Sequence, residues 1–345
     1  MNPRKSKHIK ILDLFCGCGG SSLGFKLAAE ELGLFPEIVG IDIDHDSCTT
    51  FQKNRVGYVV RADVRYLPLR VEEGLFDIII GCPPCQGFTR MKRSNSEDPR
   101  NGLVEAFTEV VASLLPNYVV FENVPGVKDS PHYHQLVNCL EKCGYKLESG
   151  VLDAADYGIP QRRKRLIVIA SRKDRPSLPK PEARRVTVRE AIRDLPPLRP
   201  GEAHPEIPNH RAMKHSRRVL MRIRAVPKDG GSRLALPAEL QLRCHVRIAG
   251  YRDVYGRMRW DDVAPTLTSG CTNPSKGRFI HPEQDRAITP REAARLQTFP
   301  DWFVFYGGFT SVSRQIGNAV PVKLAKRIAL TIMENMPRMC RPDRG

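Results

Sequence analysis

The sequence predicts an α/β protein: a mostly parallel sheet with helices on both faces, joined to a smaller, irregular, basic module. Two changes along the chain carry that expectation. Through the first 170 residues, apolar β-branched runs of strand length alternate with helical patterns. From about Arg172 the alternation is lost, and prolines gather at 176, 179, 181, 196, 197, 200, 205 and 208. Strands buried on both faces and separated by helices make a parallel sheet, whereas dense proline marks loops. A chain of 345 residues has room for two such parts.

Strands are expected at Ile9–Phe15, Ile38–Ile43, Tyr58–Val64, Phe76–Gly81, Tyr118–Phe121 and Arg165–Ala170. Between the first two, Ser21–Leu32 sets Leu23, Leu27 and Ala28 on one helical face and stops at Gly33. Regularity returns at Thr289, where TPREAARLQTFP opens with a helix cap and ends at a proline. Ala319–Met333 reads as a closing amphipathic helix. No repeat or low-complexity stretch interrupts this plan.

Composition narrows the function. Hydrophobic residues at 41% and charged residues at 27% are ordinary for a chain that buries a core, which excludes a disordered chain or a coiled coil. The net charge is +17, and it is unevenly placed. Residues 1–170 sum to zero, 171–260 carry 22 basic against 9 acidic residues, and 261–345 add +4. A neutral half joined to a basic middle is the footprint of a polyanion partner, most simply nucleic acid; a merely solvated face would spread the excess. The longest apolar runs, such as Leu166–Ala170, fall far short of the roughly 20 residues that span a bilayer. The start, MNPRKSKHIKILDLFCG, has no secretory pattern. Ten cysteines without such a signal suit reduced thiols, so a cytoplasmic, nucleoid-associated protein is expected.

The first strand runs into DLFCGCGGSS, residues 13–22, and then a helix. Glycines at such a turn let backbone close on a ligand at the carboxyl edge of the sheet. A dinucleotide fingerprint would need glycine where Ser22 stands, after Gly17 and Gly19, and no Gly-Lys-Ser/Thr follows, so NAD and P-loop nucleotides are disfavoured. Asp42 ends the second strand and Asp63 the third. The former suits paired ribose hydroxyls and the latter an adenine amine. An adenosyl ligand without a pyrophosphate fits, and S-adenosylmethionine is one; alternatively Asp42, Asp44 and Asp46 are loop or cap residues.

The fourth strand enters GCPPCQGFT, residues 81–89, which sets Cys85 on a proline-stiffened loop at the same edge. A thiolate is a good nucleophile. Cys82 and Cys85 also match a redox C-x-x-C, or half a zinc site with Cys139 and Cys143 as the remote half, and Cys85 could be a small buried residue. Glu122 closes the fifth strand beside that loop and is a candidate acid. In QRRKRLIVIA, residues 161–170, the alternating Arg163 and Arg165 are expected to project towards the same edge.

Taken in order, DLFCGCGG, GCPPCQGFT, FENVPG and QRRKRLIVIA, then RAITPREAARLQTFP at 286–300 and RQIGNAV at 314–320, resemble the cytosine-5 DNA methyltransferase family over nearly the whole chain except about 172–250. The segment 250–284 also resembles bacterial members around APTLTSG. The resemblance implies a Rossmann-like methyltransferase sheet that binds S-adenosylmethionine, with no metal. It implies that Cys85 attacks carbon 6 of cytosine, that Glu122 holds ring nitrogen 3, and that Arg163 and Arg165 steady the base and a nearby phosphate. For the cofactor it implies Phe15, Gly17, Gly19, Gly20, Asp42, Asp63, Pro84 and Asn318. At the place of Asp42 the family often has glutamate, so the reach here is shorter. Asn318 would belong to a final helix folded back onto the first domain.

Three segments follow: 1–171 for the cofactor and catalysis, 172–285 for target recognition, and 286–345 as a return that completes the catalytic domain. The partner is then double-stranded DNA whose cytosine is flipped from the helix, with a cognate restriction endonuclease as a companion and a monomer as the working form. Arg217, Arg218, Arg222 and Arg224 are candidates to grip phosphates or read guanines. Two alternatives remain: a transfer-RNA cytosine-5 methyltransferase of the same fold, and a DNA-binding relative without catalysis.

Overall fold

The computed structural model describes residues 8–67, 73–84, 102–242 and 253–336. Two compact units divide the chain: 1–153, 164–181 and 320–345 form the first, and 154–163 with 182–319 the second. No helix among the described residues is long and apolar enough to cross a membrane.

The first unit is built on seven strands, β1 (His8–Leu14), β2 (Phe35–Asp42), β3 (Tyr58–Arg61), β4 (Ile78–Gly81), β5 (Tyr118–Asn123), β6 (Lys146–Asp153) and β7 (Lys164–Ser171), in the order β3-β2-β1-β4-β5-β7-β6. Neighbours from β3 through β5 are parallel, while β7 runs antiparallel to both β5 and β6. β4 and β5 are buried along their whole length, as strands covered on both faces must be. The core joins Leu12, Ile79, Val119, Phe121 and Val168 of the sheet to Phe107 and Val111 of α3 (Gly102–Leu114) and Leu136 of α4 (Pro131–Lys142). β3 stops three residues before the expected end, because Asp63 caps a turn of 3-10 helix at Val64–Tyr66. β6 was not expected. It reads KLESGVLD and lies half-exposed at the sheet edge, so its polar residues hide the strand period.

Two further helices flank the start of the sheet, α1 (Gly20–Glu31) and α2 (His45–Lys53). α1 packs against the last helix, which is numbered α9 below (Val322–Asn335). The approach is close: a Cβ on Gly24 would sit 2.5 Å from that of Ala325. Pro321 stands at the N-cap, so the helix begins at Val322 rather than at Ala319.

The second unit shows only isolated bridges among its described residues and four short helices, α5 (Val188–Ile192), α6 (Arg217–Ala225), α7 (Pro290–Leu296) and α8 (Phe309–Asn318). Buried arginines tie its loops. Arg257 donates to the carbonyls of Ile223, Val226, His281 and Gln284 and pairs with Asp285. Arg286 makes a two-pronged contact with Glu292, which also closes the capping box of Thr289. Arg291 reaches the carbonyls of Pro208, Pro300 and Phe303.

These ties shift the expected boundaries. Residues 286–319 stay with the second unit, because Arg286, Arg291 and Thr289 bond to Leu198, Pro208 and His210. The return to the sheet therefore begins at Val320. Residues 172–181 stay with the sheet, where Arg172 donates to Leu115 O and the Tyr118 hydroxyl to Asp174.

Candidate active site

The carboxyl edge of β1 opens into a strained turn. Phe15, Gly17 and Gly19 all have positive φ, and Gly19 is the N-cap of α1. A Cβ on Gly19 would meet the Phe51 ring at 2.8 Å, so that glycine is required for packing; nothing lies within 4 Å of a Cβ built on Gly17, so that side of the turn is open to a ligand. Gly20 begins the helix, buried, and Phe15 packs partly buried against the core.

Two carboxylates brace this turn from beneath. Asp42 accepts from the amide of Gly17 through Oδ2 and from that of Asp44 through Oδ1, both at 2.8 Å. Burial raises its pKa, opposed by those amides. Asp13 is fully buried and takes the Ser22 hydroxyl at 2.5 Å on Oδ2, while Oδ1 has no hydrogen-bond partner. Burial lifts its pKa to about 7. Ser22 thus stands where a dinucleotide site has glycine because it anchors the helix start to β1. That departure was the available signal for Asp13, which sequence reasoning missed. At the end of β3, Asp63 accepts from the backbone and guanidinium of Arg65, which holds its carboxyl below the usual range and keeps it ionised.

The nearby thiols are held protonated. Burial raises Cys16 well above the ordinary value, Cys18 to about 12 and Cys48 to about 11, so none of the three is a ready nucleophile. After β4, Cys82 Sγ lies 3.7 Å from the Ser21 hydroxyl, and Asn123 Nδ2 donates to Pro83 O at 3.2 Å. Asn123, also missed, fixes the root of the Pro-Pro-Cys loop to β5. Pro84 is exposed, and Cys85 lies outside the described residues.

Glu122 and Arg165 meet. Their side chains, 11% and 15% exposed, form an ion pair with Nε 3.0 Å from Oε1. The hydrogen-bond angle is poor, and Oε1 is left without an aligned donor. Arg163 goes elsewhere: it precedes β7, lies in the second unit at 3% exposure, and donates to the carbonyls of Leu267 and Gly317. A Cβ on Gly317 would fall 1.9 Å from Thr268 O, so the loop and α8 touch backbone to backbone. Asn318 is the exposed last residue of α8, also in the second unit; the helix that rejoins the sheet is the following α9.

Among the basic candidates, Arg217, Arg218 and Arg224 are exposed on α6. Arg222 is not a surface group: it is 5% exposed, donates to Leu240 O at 2.8 Å and lies over the Tyr255 ring. Among the described residues no cluster of three or more His, Cys, Asp or Glu could hold a metal ion.

The family model described as C-5 cytosine-specific DNA methylase matches residues 9–334. Type II methylase M.HgiDII of Herpetosiphon aurantiacus is 38% identical over 341 residues, with 93% of this chain and 94% of that protein covered. Type II methyltransferase M1.HphI of Haemophilus parahaemolyticus is 36% identical, with 94% and 87% covered. Among solved structures, a DNA modification methyltransferase encoded within a prophage of E. coli superposes with a TM-score of 0.73 at 27% identity, covering 94% of this chain and 99% of that one. The methyltransferase EhMeth of Entamoeba histolytica shares the fold at 16% identity and a TM-score of 0.70, covering 96% and 99%.

Proposed function

From the premise that this chain belongs to the C-5 cytosine-specific DNA methylase family, we propose that it methylates one cytosine within a fixed short duplex sequence, as the modification partner of a type II restriction endonuclease. The chain is a DNA cytosine-5 methyltransferase, and enzymes of this family draw their methyl group from S-adenosylmethionine. The observation that carries the finer reading is the ion pair of Glu122 with Arg165 at the carboxyl end of β5, next to the strand whose loop Asn123 anchors.

The glycine turn fits the cofactor. Gly17 leaves open space that a side chain would fill, and Asp42 and Asp63 supply acceptors at the ends of β2 and β3. When bound, S-adenosylmethionine supplies an electrophilic methyl group on a sulfonium. Asp42 steadies the turn and would take ribose hydroxyls, Asp63 would accept from the adenine amine, and Phe15 and Pro84 would line the pocket.

The protein's own chemistry concerns the base. Extruding a cytosine costs roughly a few kcal/mol, offset by contacts to the opened duplex. The Cys85 sulfur forms a bond to carbon 6, which makes carbon 5 nucleophilic. Glu122, oriented by Arg165, gives a proton or hydrogen bond to ring nitrogen 3, which offsets the negative charge that develops on the ring. Carbon 5 takes the methyl group that a bound S-adenosylmethionine would supply, with S-adenosylhomocysteine as the leaving group. Carbon 5 would then give its proton to solvent, its bonding pair would restore the 5,6 double bond, and the carbon 6–sulfur bond would break to return the Cys85 thiolate. Arg163, buried in the second unit, donates to the carbonyls of Leu267 and Gly317 and so ties its loops; contact with the base is what the resemblance implies for it.

A competition assay with radiolabelled methyl donor tests the reading. Duplex DNA should be labelled in preference to transfer RNA, and Cys85→Ala should abolish labelling while cofactor binding persists. Labelling of transfer RNA alone would contradict it.

A further inference from the structure

A cleft of about 240 Å³ in the second unit is bordered by Gly230, Met258, Arg259, Asp262 and Arg278. Its two arginines differ in what they do. Arg278 is committed to the protein: it pairs with Asp253 and donates to the carbonyls of Gly230, Gly231 and Arg257. Arg259 is exposed, and no carboxylate among the described residues pairs with it. By contrast the neighbouring Arg189 and Arg257 each hold an aspartate.

Arg259 is nonetheless held in place by what flanks it. Met258 is buried and its amide donates to Ile280 O at 2.9 Å. The amide of Trp260 donates to Asp229 Oδ1 at 2.7 Å, and the Trp260 ring lies under Arg189. The Arg259 stem rests on Gly230, whose φ is +98°; a Cβ there would stand 2.4 Å from Cγ and Nε. A rigid backbone and a glycine floor thus present a planar, unspent guanidinium at the mouth of a cleft.

Asp262 decides what that cleft suits. A carboxylate lining the same cleft disfavours a phosphate there, and although its Oδ1 already accepts from the Val263 amide at 2.7 Å, it can accept further from an amino group. In the major groove, an arginine fork matches O6 and N7 of guanine, and an aspartate accepts from the N4 amine of cytosine. We propose that Arg259 and Asp262 read one G·C pair of the target sequence, Arg259 taking the guanine edge. This rests on the reading of the chain as a sequence-specific DNA methyltransferase, and it names the residues that supply part of the specificity.

The test uses the full-length enzyme and its own methylated sequence, with duplexes in which each base pair is replaced in turn. Arg259→Ala should lower kcat/KM on the cognate duplex about 10- to 100-fold and lose discrimination at one G·C position while keeping it elsewhere. Asp262→Asn should weaken discrimination at that same position. An unchanged melting temperature in both variants shows that the fold is retained. An equal loss on every duplex, with a shallower salt dependence, would mean a phosphate contact and overturn the proposal. Full activity with unaltered discrimination would overturn it too. A wild-type enzyme that methylates no duplex DNA would instead overturn the reading beneath it.

Discussion

The two units use charge in opposite ways. In the sheet unit, ionisable groups gather at strand ends around a site, where Asp13 and Asp42 brace the glycine turn, Asp63 pairs with Arg65 and Glu122 meets Arg165. In the second unit, large charged side chains enter the core beside apolar residues such as Ile223, Met258 and Ile280. Arg257, Arg286 and Arg291 are fully buried and spend their donors on backbone carbonyls and on three carboxylates, Asp285, Glu292 and Asp301. A unit with little regular secondary structure leaves many loop carbonyls unpaired, and arginine, with five donors in a fixed fork, can satisfy several at once. Within residues 171–260 Arg222, Arg233 and Arg257 are buried, so the excess positive charge of that segment is partly internal scaffolding and only partly a surface for a polyanion.

The largest effect expected from this contrast is at Arg286. Arg286→Ala leaves Glu292 buried and unpaired, which should cost about 3–5 kcal/mol in denaturant unfolding. The loss should appear as early unfolding of the second unit, with S-adenosylmethionine binding by the sheet unit less affected. Equal loss of both would dissolve the contrast.

Next comes Ser22→Ala, which removes the hydroxyl's hydrogen bond to buried Asp13. It should cost about 1–3 kcal/mol and weaken cofactor binding, as read by calorimetry.

The units should also respond to opposite ends of the pH scale. The pKa of Asp13 is raised from 3.8 to about 7, so its contribution is fully present below about 4 and is lost as pH rises through 7. Asp13→Asn should remove that dependence, and the variant should gain on the wild type between about pH 4 and 7. For Glu292 burial alone would raise the pKa, but Arg286 and its hydrogen bonds bring it down to about 2. Its contribution is present above about 4.5 and lost as pH falls through 2, so acid should loosen the second unit first.

The smallest stability effect is expected on α6. Arg217→Ala with Arg218→Ala should change stability by less than about 0.5 kcal/mol per site. The same pair should make the salt dependence of DNA binding shallower, by about one for each phosphate no longer gripped. Arg222→Met should do the reverse, lowering the melting temperature while leaving the salt slope unchanged.

Much of the sheet unit was legible because its strands are apolar runs closed by glycine or acid, as in Phe76–Gly81 and Tyr118–Phe121. The partnership of Glu122 with the QRRKR run followed from strand ends meeting at one edge. What escaped has physical reasons. The strand KLESGVLD lies at an edge, where polar residues are tolerated. Arg163 and Arg222 could not be told from surface arginines, since only the fold decides whether a guanidinium meets solvent or a carbonyl. The unit boundary near Val320 was hidden because buried polar ties, unlike apolar periodicity, leave no regular spacing.

The central claim, methyl transfer to cytosine in DNA at a fixed sequence through Cys85, is tested most directly in a living cell. The wild type and Cys85→Ala would be expressed in a bacterium that lacks cytosine methylation, and 5-methylcytosine mapped across the genome. The account predicts methylation at one short sequence with the wild type and none with the variant. Soluble wild-type protein that binds S-adenosylmethionine but leaves the genome unmethylated would contradict it.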